Sequence, residues 1–376
     1  MKKQTLIDFA AKRKRKIKNI PQIITKDWIL SMLKDNSFSN WGFSYLDLSA
    51  HDLSKVSLEL LSKVAFSSTT IWPTQSKLPK GFNPQSILNY TSTTSNTVIN
   101  LHNQGIDGEG IAIAVIDNRF QGENHIEFVN ANLIKYTLSN AEIGDYHFHM
   151  EDVLAKLCGK NLGIAPKSKI LYYEVSDEED CSLDVLNALK DIKTRILNGE
   201  KIRIINYSYS LTDDDNPFIY QQECIKLVEE LKQLNCELVD STRFGEQFFC
   251  CGTNFLNAKD EIDDYNPASF AKGKPYENKV KDKINILCSG RTIPEFCTIN
   301  GYKYESIDCF SWTIPQVVGY YALCLQVNPN LTFKEFTELC QKSCDISSSG
   351  LNVLNAERLI KCVKEQISTE ECVKNL

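Results

Sequence analysis

Four continuous apolar runs of strand length constrain the fold of this chain more than any other feature. They read GIAIAVID (residues 110–117), SKILYYEV (168–175), IRIINYSYS (202–210) and CELVDS (236–241). Helical patterns flank the last three runs, most clearly DVLNALKDIKTRIL and QQECIKLVEELKQL. Strands that are apolar without alternation are buried on both faces, and interleaved helices cover them. The sequence therefore predicts an α/β fold, with a mainly parallel sheet and helices on both faces.

Composition and charge narrow the class of protein. The chain has 376 residues, 42% of them hydrophobic and 24% charged, which is enough for a large core in one or two domains. Its net charge of −6 argues against general nucleic-acid binding. The first eighteen residues are strongly basic, and we interpret them as a solvated or amphipathic helix rather than a nucleic-acid or membrane arm. Since no signal-peptide or membrane-spanning pattern occurs, we expect a soluble, cytoplasmic protein without nucleic-acid or membrane partners.

The fourteen cysteines are expected to be reduced, because the chain is long and shows no signal peptide. It contains no C-x-x-C pair, and neither the adjacent Cys250 and Cys251 nor Cys340 with Cys344 makes a zinc pattern. Small apolar packing is the expected role of these thiols. The acidic clusters at 177–180 and 213–215 lack the ligand spacing of a calcium site. We predict no cofactor and no required metal.

The N-terminal part of the chain has a different character. Residues 1–86 mix short helical patterns with the polar, proline-containing stretch SSTTIWPTQSKLPKGFNPQS, so we predict an N-terminal extension or subdomain there and a larger domain over 87–376. The pattern DLSKVSLELLSKVAF, at 52–66, predicts a helix whose apolar face packs on the rest of the protein. Composition leaves three roles open for this segment: a removable propeptide, a permanent subdomain or a partner-docking arm.

Three residues are candidates for chemistry. Asp117 ends the first predicted strand, and reactive groups of parallel sheets gather at the carboxyl ends of strands. His149 opens a helical pattern with an apolar face. Ser311 precedes an apolar helical run that Pro315 is expected to start. Ser311 is therefore either the N-cap of that helix or a nucleophile at its N-terminus. The positive end of the helix dipole would stabilise an oxyanion there. Asp, His, Ser is also the chain order of one known serine triad.

Five segments resemble the subtilisin-like serine peptidases, in the right order over about residues 100–361. The segment GIDGEGIAIAVIDNRF is similar to their G-x-x-G-x-G-x-x-V-A-V-x-D-[ST]-G segment. The segment HMEDVLAKLCGKNLGIAPKSKILYYEV is similar to their H-G-T-H-V-A-G segment and to the G-V-A-P that follows it. IRIINYSYS resembles their I-N-M-S-L-G substrate strand, and CFSWTIPQVVGYYALCLQVNPNLT their G-T-S-M-A-x-P nucleophile helix. SGLNVLNAERLI is similar to the closing G-x-G-x-x-N-A helix.

The resemblance implies a subtilisin-like peptidase domain that hydrolyses peptide bonds. Asp117 would orient the imidazole, His149 would act as base and then acid, and Ser311 would attack the carbonyl. The resemblance assigns the substrate strand, to which an extended peptide adds, to three residues: Tyr207, Ser208 and Tyr209. The oxyanion donor is expected to be Asn254, which precedes a segment similar to the family's Y-P-A-S-Y, with Thr242 or Arg243 as alternatives.

The chain departs from the family pattern beside each of the three residues. D-[ST]-G is DNR at 117–119, H-G-T-H is HMED at 149–152, and the glycine two residues before Ser311 is Cys309. Retention of the triad favours a serine endopeptidase, acting on one dedicated peptide or in general turnover. A catalytically silent peptide-binding protein is the alternative, and a small-molecule esterase or amidase ranks last. The expected partner is a peptide or protein substrate, and the sequence carries no signal for oligomeric state.

Overall fold

The computed structural model describes most of the chain. The described residues are 20–34, 41–138, 149–176, 181–212, 219–241, 247–253, 255–257, 266–267, 280–289, 291–295, 298–305 and 310–374. The strands are β1 (Phe66–Ser67), β2 (Ala112–Asn118), β3 (Leu133–Thr137), β4 (Lys169–Val175), β5 (Ile202–Tyr207), β6 (Glu237–Val239), β7 (Phe248–Gly252), β8 (Asn266–Pro267), β9 (Ile284–Ser289), β10 (Arg291–Pro294), β11 (Tyr302–Glu305), β12 (Cys344–Ile346) and β13 (Asn352–Leu354).

The helices alternate with these strands along much of the chain. They are α1 (Lys26–Met32), α2 (Leu58–Leu61), α3 (Pro84–Thr91), α4 (Asn96–Asn103), α5 (His149–Cys158), α6 (Ser182–Leu197), α7 (Gln221–Gln233), α8 (Phe310–Val327), α9 (Phe333–Lys342) and α10 (Ala356–Lys374). Two short 3₁₀ turns, Gln75–Lys77 and Phe255–Asn257, complete the described secondary structure. No helix in the described ranges is both long and apolar enough to cross a membrane.

The central sheet is parallel throughout and has the strand order β3-β4-β2-β5-β6. Alternate residues of β2 face opposite layers: Ala114 and Ile116 pack with α6 and α7, whereas Ile113 and Val115 pack with α5 and α8. All four of these side chains are fully buried, as an unalternating apolar strand requires. The predicted fold class, a mainly parallel α/β sheet with helices on both faces, is confirmed.

The four apolar runs correspond to β2, β4, β5 and β6, and the two helical patterns correspond to α6 and α7. The sequence analysis missed β3, β7 and β9. Strands β7 and β9 pair in parallel within a second five-stranded sheet, ordered β12-β13-β9-β7-β8. Both are short apolar runs, FFCCG and INILCS, so the signal for buried strands was present.

Residues 20–86 contribute to a core shared with later parts of the chain. Strand β1 pairs antiparallel with β11, in a three-stranded sheet ordered β1-β11-β10. The Phe66 ring stacks on Tyr304 with 5.3 Å between centroids, and Phe82 and Phe255 join the same apolar cluster. Because α3 spans position 86, the predicted boundary lies inside a helix. The division into two domains stays a prediction.

The helix predicted over 52–66 is wrong in extent, because only the single turn α2 forms there. Ser57 caps that turn by accepting a hydrogen bond from the Leu60 backbone N–H. The helix cannot continue to residue 66, because Phe66 is extended and bonded to β11. The apolar side chains of the pattern are nevertheless buried, including Val56, Leu60, Leu61, Val64 and Ala65.

Eleven of the fourteen cysteines have described side chains; none of these eleven forms a disulfide, and eight are buried. Among the described residues there is no group of three or more His, Cys, Asp or Glu side chains that could hold a metal ion. The two acidic clusters of the sequence analysis, 177–180 and 213–215, lie outside the described residues.

Candidate active site

Asp117 and His149 meet at the carboxyl end of the central sheet. Asp117 is the penultimate residue of β2, and its side chain is fully buried. His149 is the first residue of α5, and its side chain is 22% exposed. The two side chains are joined by a contact of 3.2 Å between His149 Nδ1 and Asp117 Oδ1. A carboxylate on Nδ1 fixes the tautomer that leaves Nε2 able to accept a proton.

The local electrostatics favour the protonated imidazole. Burial alone lowers the pKa of His149, because it disfavours the charged form. Attraction to Asp117, the hydrogen bond between the two side chains and the nearby Asp152 outweigh that effect and raise the pKa of His149 above its ordinary value. An imidazole in this environment is a stronger base than a free one, which suits proton abstraction near neutral pH.

Ser311 lies in the first turn of α8, which begins at Phe310. The expectation that Pro315 starts this helix is wrong, and so is the N-cap reading of Ser311, because Pro315 lies five residues inside the helix. A proline has no N–H for the carbonyl four residues earlier, which here belongs to Ser311. The Ser208 hydroxyl supplies the missing donor at 3.1 Å from Ser311 O. The helix can therefore begin before its proline.

The hydrogen bonds between Ser208 and Ser311 are reciprocal. Ser311 Oγ donates to the Ser208 carbonyl at 3.2 Å, so the end of β5 is tied to the start of α8 in both directions. No hydrogen bond joins Ser311 to His149 within the described part of the chain. The structure thus brings Asp117 and His149 together and turns the Ser311 hydroxyl toward the strand end. Catalytic hydrogen bonds are often absent or long without substrate.

The three residues expected to form the substrate strand differ in environment. Tyr207 is the last residue of β5, and its side chain is buried between the sheet and α6 and α7. Ser208 is also buried, and Tyr209 is 37% exposed. The Tyr209 carbonyl accepts a hydrogen bond from the Ser241 N–H at 2.9 Å. Of the three side chains, only that of Tyr209 reaches the solvent-accessible side of the site.

The predicted oxyanion donor, Asn254, and its alternatives Thr242 and Arg243 lie outside the described residues, as does Cys309. Ser311 lies in the first described turn of α8. The positive end of the helix dipole lies at the same place. The environment of Ser311 therefore suits developing negative charge.

Asn118 is a site residue whose role the sequence analysis missed. Its backbone N–H donates to Asp117 Oδ1 at 2.8 Å, and its side-chain oxygen accepts from the Tyr209 hydroxyl. The Tyr209 ring lies against the His149 ring, with 5.1 Å between centroids. The signal available in the sequence was the departure itself, since Asn118 stands at the second position of the D-[ST]-G motif.

A buried charged cluster underlies the histidine helix. Asp152, one turn after His149, is 2% exposed, and burial raises its pKa well above the ordinary value against the lowering effect of Lys303. Lys303 pairs with Glu305 at 2.8 Å, both side chains being buried. The Lys303 ammonium also lies 4.4 Å from the ring centroid of Trp41, which belongs to the N-terminal segment. Lys303 therefore acts electrostatically on Asp152 and contacts Trp41 of the N-terminal segment.

Comparisons with known proteins give fold-level likenesses only. No protein-family model and no curated protein sequence matches the chain. Among solved structures, the prenylagaramide maturation protease PagA is 19% identical, with 71% of this chain and 98% of that chain covered and a TM-score of 0.48. The PatG macrocyclase domain is 14% identical, with coverages of 72% and 96% and a TM-score of 0.47.

A cold-adapted subtilisin-like serine proteinase is 17% identical, with coverages of 66% and 88% and a TM-score of 0.41. The architecture itself matches the sequence motifs, because Asp117 ends a parallel strand while His149 and Ser311 lie in the first turns of two helices on the same face of the sheet. The chain therefore has a mainly parallel α/β fold in which the three candidate residues lie in the order and on the elements that the sequence motifs predict.

Proposed function

We propose that this protein is a serine endopeptidase that hydrolyses peptide bonds through an acyl-enzyme, with Asp117, His149 and Ser311 as its triad. The observation that carries the proposal is the contact between buried Asp117 and His149 Nδ1, beside a helix whose first turn holds Ser311. A serine hydroxyl is a weak nucleophile until a positioned imidazole takes its proton. The arrangement supplies both the base and the carboxylate that orients it.

In the proposed reaction, Ser311 Oγ leaves the Ser208 carbonyl and turns to His149 Nε2. It then attacks the substrate carbonyl carbon, and its proton passes to Nε2 while a C–O bond forms. The tetrahedral oxyanion is stabilised by backbone N–H groups at the start of α8, with Asn254 as the proposed side-chain donor. Collapse breaks the C–N bond, and His149 gives its proton to the departing amine. Water then hydrolyses the ester by the same steps, which restores the Ser311 hydroxyl.

The proposed substrate is a peptide that extends along Tyr207, Ser208 and Tyr209. Backbone pairing with a strand end gives affinity without sequence preference, and side-chain contacts then set specificity. Tyr209 is the exposed aromatic side chain of this set, and a dedicated peptide substrate is the proposal that follows from the altered motif neighbours. No cofactor is required for these steps, and we propose a cytoplasmic site of action.

A fluorophosphonate probe tests the proposal, because it reacts with an activated serine and reports on the base as well. We expect stoichiometric labelling of the full-length protein at Ser311, identified by peptide mass spectrometry, and complete loss in Ser311→Ala and His149→Ala. Ser54→Ala is the matched control, since Ser54 is an exposed serine of the N-terminal segment. Incubation with a peptide library, read by mass spectrometry, then gives the cleavage preference.

One observation favours a second function, a catalytically silent protein that binds peptides in the same cleft. Ser311 Oγ is engaged by the Ser208 carbonyl and not by His149. If that state persists with peptide bound, the hydroxyl has no base. Saturable peptide binding without probe labelling or cleavage would establish the silent protein and refute the peptidase.

A further inference from the structure

Tyr209 closes a ring of contacts around the His149 imidazole. The two rings lie 5.1 Å apart between centroids, with an angle of 39° between their planes. The Tyr209 hydroxyl donates to Asn118 Oδ1, and the Asn118 backbone N–H donates to Asp117 Oδ1 at 2.8 Å. That same Asp117 oxygen contacts His149 Nδ1. Three residues from two other segments of the chain thus support the His149 imidazole.

We propose that Tyr209 and Asn118 are positioning residues that together hold the His149 ring against Asp117. Their importance for catalysis rests on the proposed peptidase function, but the positioning itself is a property of the folded chain. Neither residue contacts reacting atoms in this assignment. Asn118 acts through Asp117 and Tyr209, and Tyr209 acts through its ring and its hydroxyl.

The location of His149 explains why such support is needed. His149 is the first residue of α5, so its side chain lies at a helix end. The single contact with the Asp117 carboxylate leaves the imidazole ring able to rotate about the axis of that contact. A tilted aromatic contact favours one relative orientation of two rings. The Tyr209 hydroxyl bond then fixes the second ring in turn, because a phenol anchored at its far end cannot swing away from the imidazole.

Asn118 is suited to this role by the two groups it presents. Its backbone N–H bonds the carboxylate and its side-chain oxygen bonds the phenol, so it sets the distance between them. Its carbonyl oxygen accepts a hydrogen bond from the Tyr172 hydroxyl, and its amide nitrogen donates to Ser176 O at 3.4 Å. Asn118 is therefore fixed from both sides, and it is 8% exposed.

The ring and the hydroxyl of Tyr209 have separable effects. The ring shields one face of the imidazole from water, and loss of solvent lowers the pKa of His149 by disfavouring its charged form. Asp117 from β2 and Asp152 from α5 itself act in the opposite direction. Tyr209→Phe deletes the hydroxyl bond that holds the Tyr209 ring in place, so it should weaken the contact of His149 with Asp117 and lower the pKa of His149. Tyr209→Leu also exposes the imidazole to water, which acts in the opposite direction, so the labelling rate is the more direct measure for that variant.

Histidine NMR titration of the full-length protein tests the positioning without any need for activity. The chain has five histidines, and the His149 resonance is assigned by its absence in His149→Asn. We expect a downward shift of its titration midpoint in Tyr209→Phe and none in Tyr90→Phe. Tyr90→Phe is the matched control, because Tyr90 is 40% exposed and its hydroxyl also donates to an oxygen, that of Phe255.

The rate of fluorophosphonate labelling, measured above the His149 midpoint, gives the catalytic consequence. Small misplacements of a reacting group can reduce rates by up to about 100-fold, so we expect losses of about 10–100-fold in Tyr209→Leu and smaller losses in Tyr209→Phe. Asn118→Leu removes the acceptor of the same hydrogen bond. Its combination with Tyr209→Phe should be no slower than the slower single variant, because both delete one interaction.

The outcomes separate the two proposals. An unchanged His149 titration and labelling rate in Tyr209→Phe, with an unchanged melting temperature, would overturn the positioning role and leave the peptidase proposal standing. Equal losses in Tyr90→Phe and Tyr209→Phe would also overturn it, since they would reflect general destabilisation. If the wild-type protein is not labelled at all, the peptidase proposal fails and the NMR titration alone decides the positioning. If Tyr209→Leu does not fold, the comparison of Tyr209→Phe with Tyr90→Phe decides it.

Discussion

The bond between Ser208 and the carbonyl that Pro315 leaves free should be measurable as a coupling between two substitutions. Ser208 is 2% exposed and donates to Ser311 O at 3.1 Å. Its hydroxyl also accepts from Asn206 Nδ2 at 3.1 Å. Ser208→Ala removes both bonds and leaves a carbonyl and an amide donor without these partners. The perturbation changes one atom and leaves the backbone of β5 intact.

The expected loss of stability follows from those two bonds. A buried hydrogen bond contributes about 0.5–1.5 kcal/mol net, and a buried group left without a partner costs about 1–3 kcal/mol. We therefore expect Ser208→Ala to lower the free energy of unfolding by about 2–3 kcal/mol. Pro315→Ala then supplies a backbone N–H four residues after Ser311, the spacing of a helical hydrogen bond. In that background Ser311 O gains a new donor, so Ser208→Ala should cost about 1 kcal/mol less.

Urea unfolding of the four proteins, followed by circular dichroism at equal protein concentration, gives the coupling energy. The absolute effect of Pro315→Ala does not matter, because it cancels in the cycle. Ser343→Ala is the control serine: it is also buried and bonded to a helical carbonyl, that of Leu339 at 2.7 Å, but is independent of Pro315. Additivity of Ser208→Ala and Pro315→Ala to within about 0.3–0.5 kcal/mol would refute the account of the helix start.

Further substitutions test packing, buried charge and the N-terminal segment. Gly319→Ala places a Cβ 2.6 Å from Ile164 Cβ, so we expect overpacking of about 1–3 kcal/mol to exceed the helix-propensity gain of about 1 kcal/mol and to lower the melting temperature. Burial lowers the pKa of Lys156 from 10.5 to about 8, so the folded protein holds fewer protons than the unfolded chain between those values. The unfolding free energy of the wild type should therefore rise relative to Lys156→Met from pH 8 to pH 10, and a pH-independent difference would contradict this. Deletion of residues 1–86 should lower the melting temperature, since it removes β1 and its aromatic partners, and an unchanged value would show that the segment does not support the fold. Thiol titration of the denatured protein should return all fourteen cysteines, and several intact disulfides would overturn the expectation of reduced thiols.

The central sheet was predictable because its signal is local. Runs such as GIAIAVID are buried on both faces, so nearly all of their consecutive residues are apolar and a short stretch of sequence reveals them. The same holds for α6 and α7, whose buried side chains recur at helical spacing. Strand β3 carried no such run, because it lies at the sheet edge and none of its side chains is fully buried.

What could not be predicted depends on contacts between distant segments. The pattern at 52–66 looks helical, but Phe66 at its end pairs with strand β11. Local helix propensity carries no information about pairing with a distant strand. Pro315 was expected to start α8, and only the Ser208 hydroxyl, 103 residues away from Ser311, makes the earlier start possible. The contact of Asp117 with His149 was anticipated from the motifs, whereas the contacts of Asn118 and Tyr209 required the folded arrangement.

The pairing of β1 with β11 also bears on how the chain is made. The Tyr304 hydroxyl donates to the Ser62 carbonyl, and 242 residues separate the two. At synthesis rates of about 5–20 residues per second, Tyr304 emerges about 12–48 s after Ser62. The aromatic side chains around Phe66 are therefore synthesised well before Tyr304, their partner in the same apolar cluster. We expect the nascent N-terminal segment to need transient shielding, and its folding to be completed only after Tyr304 has been synthesised.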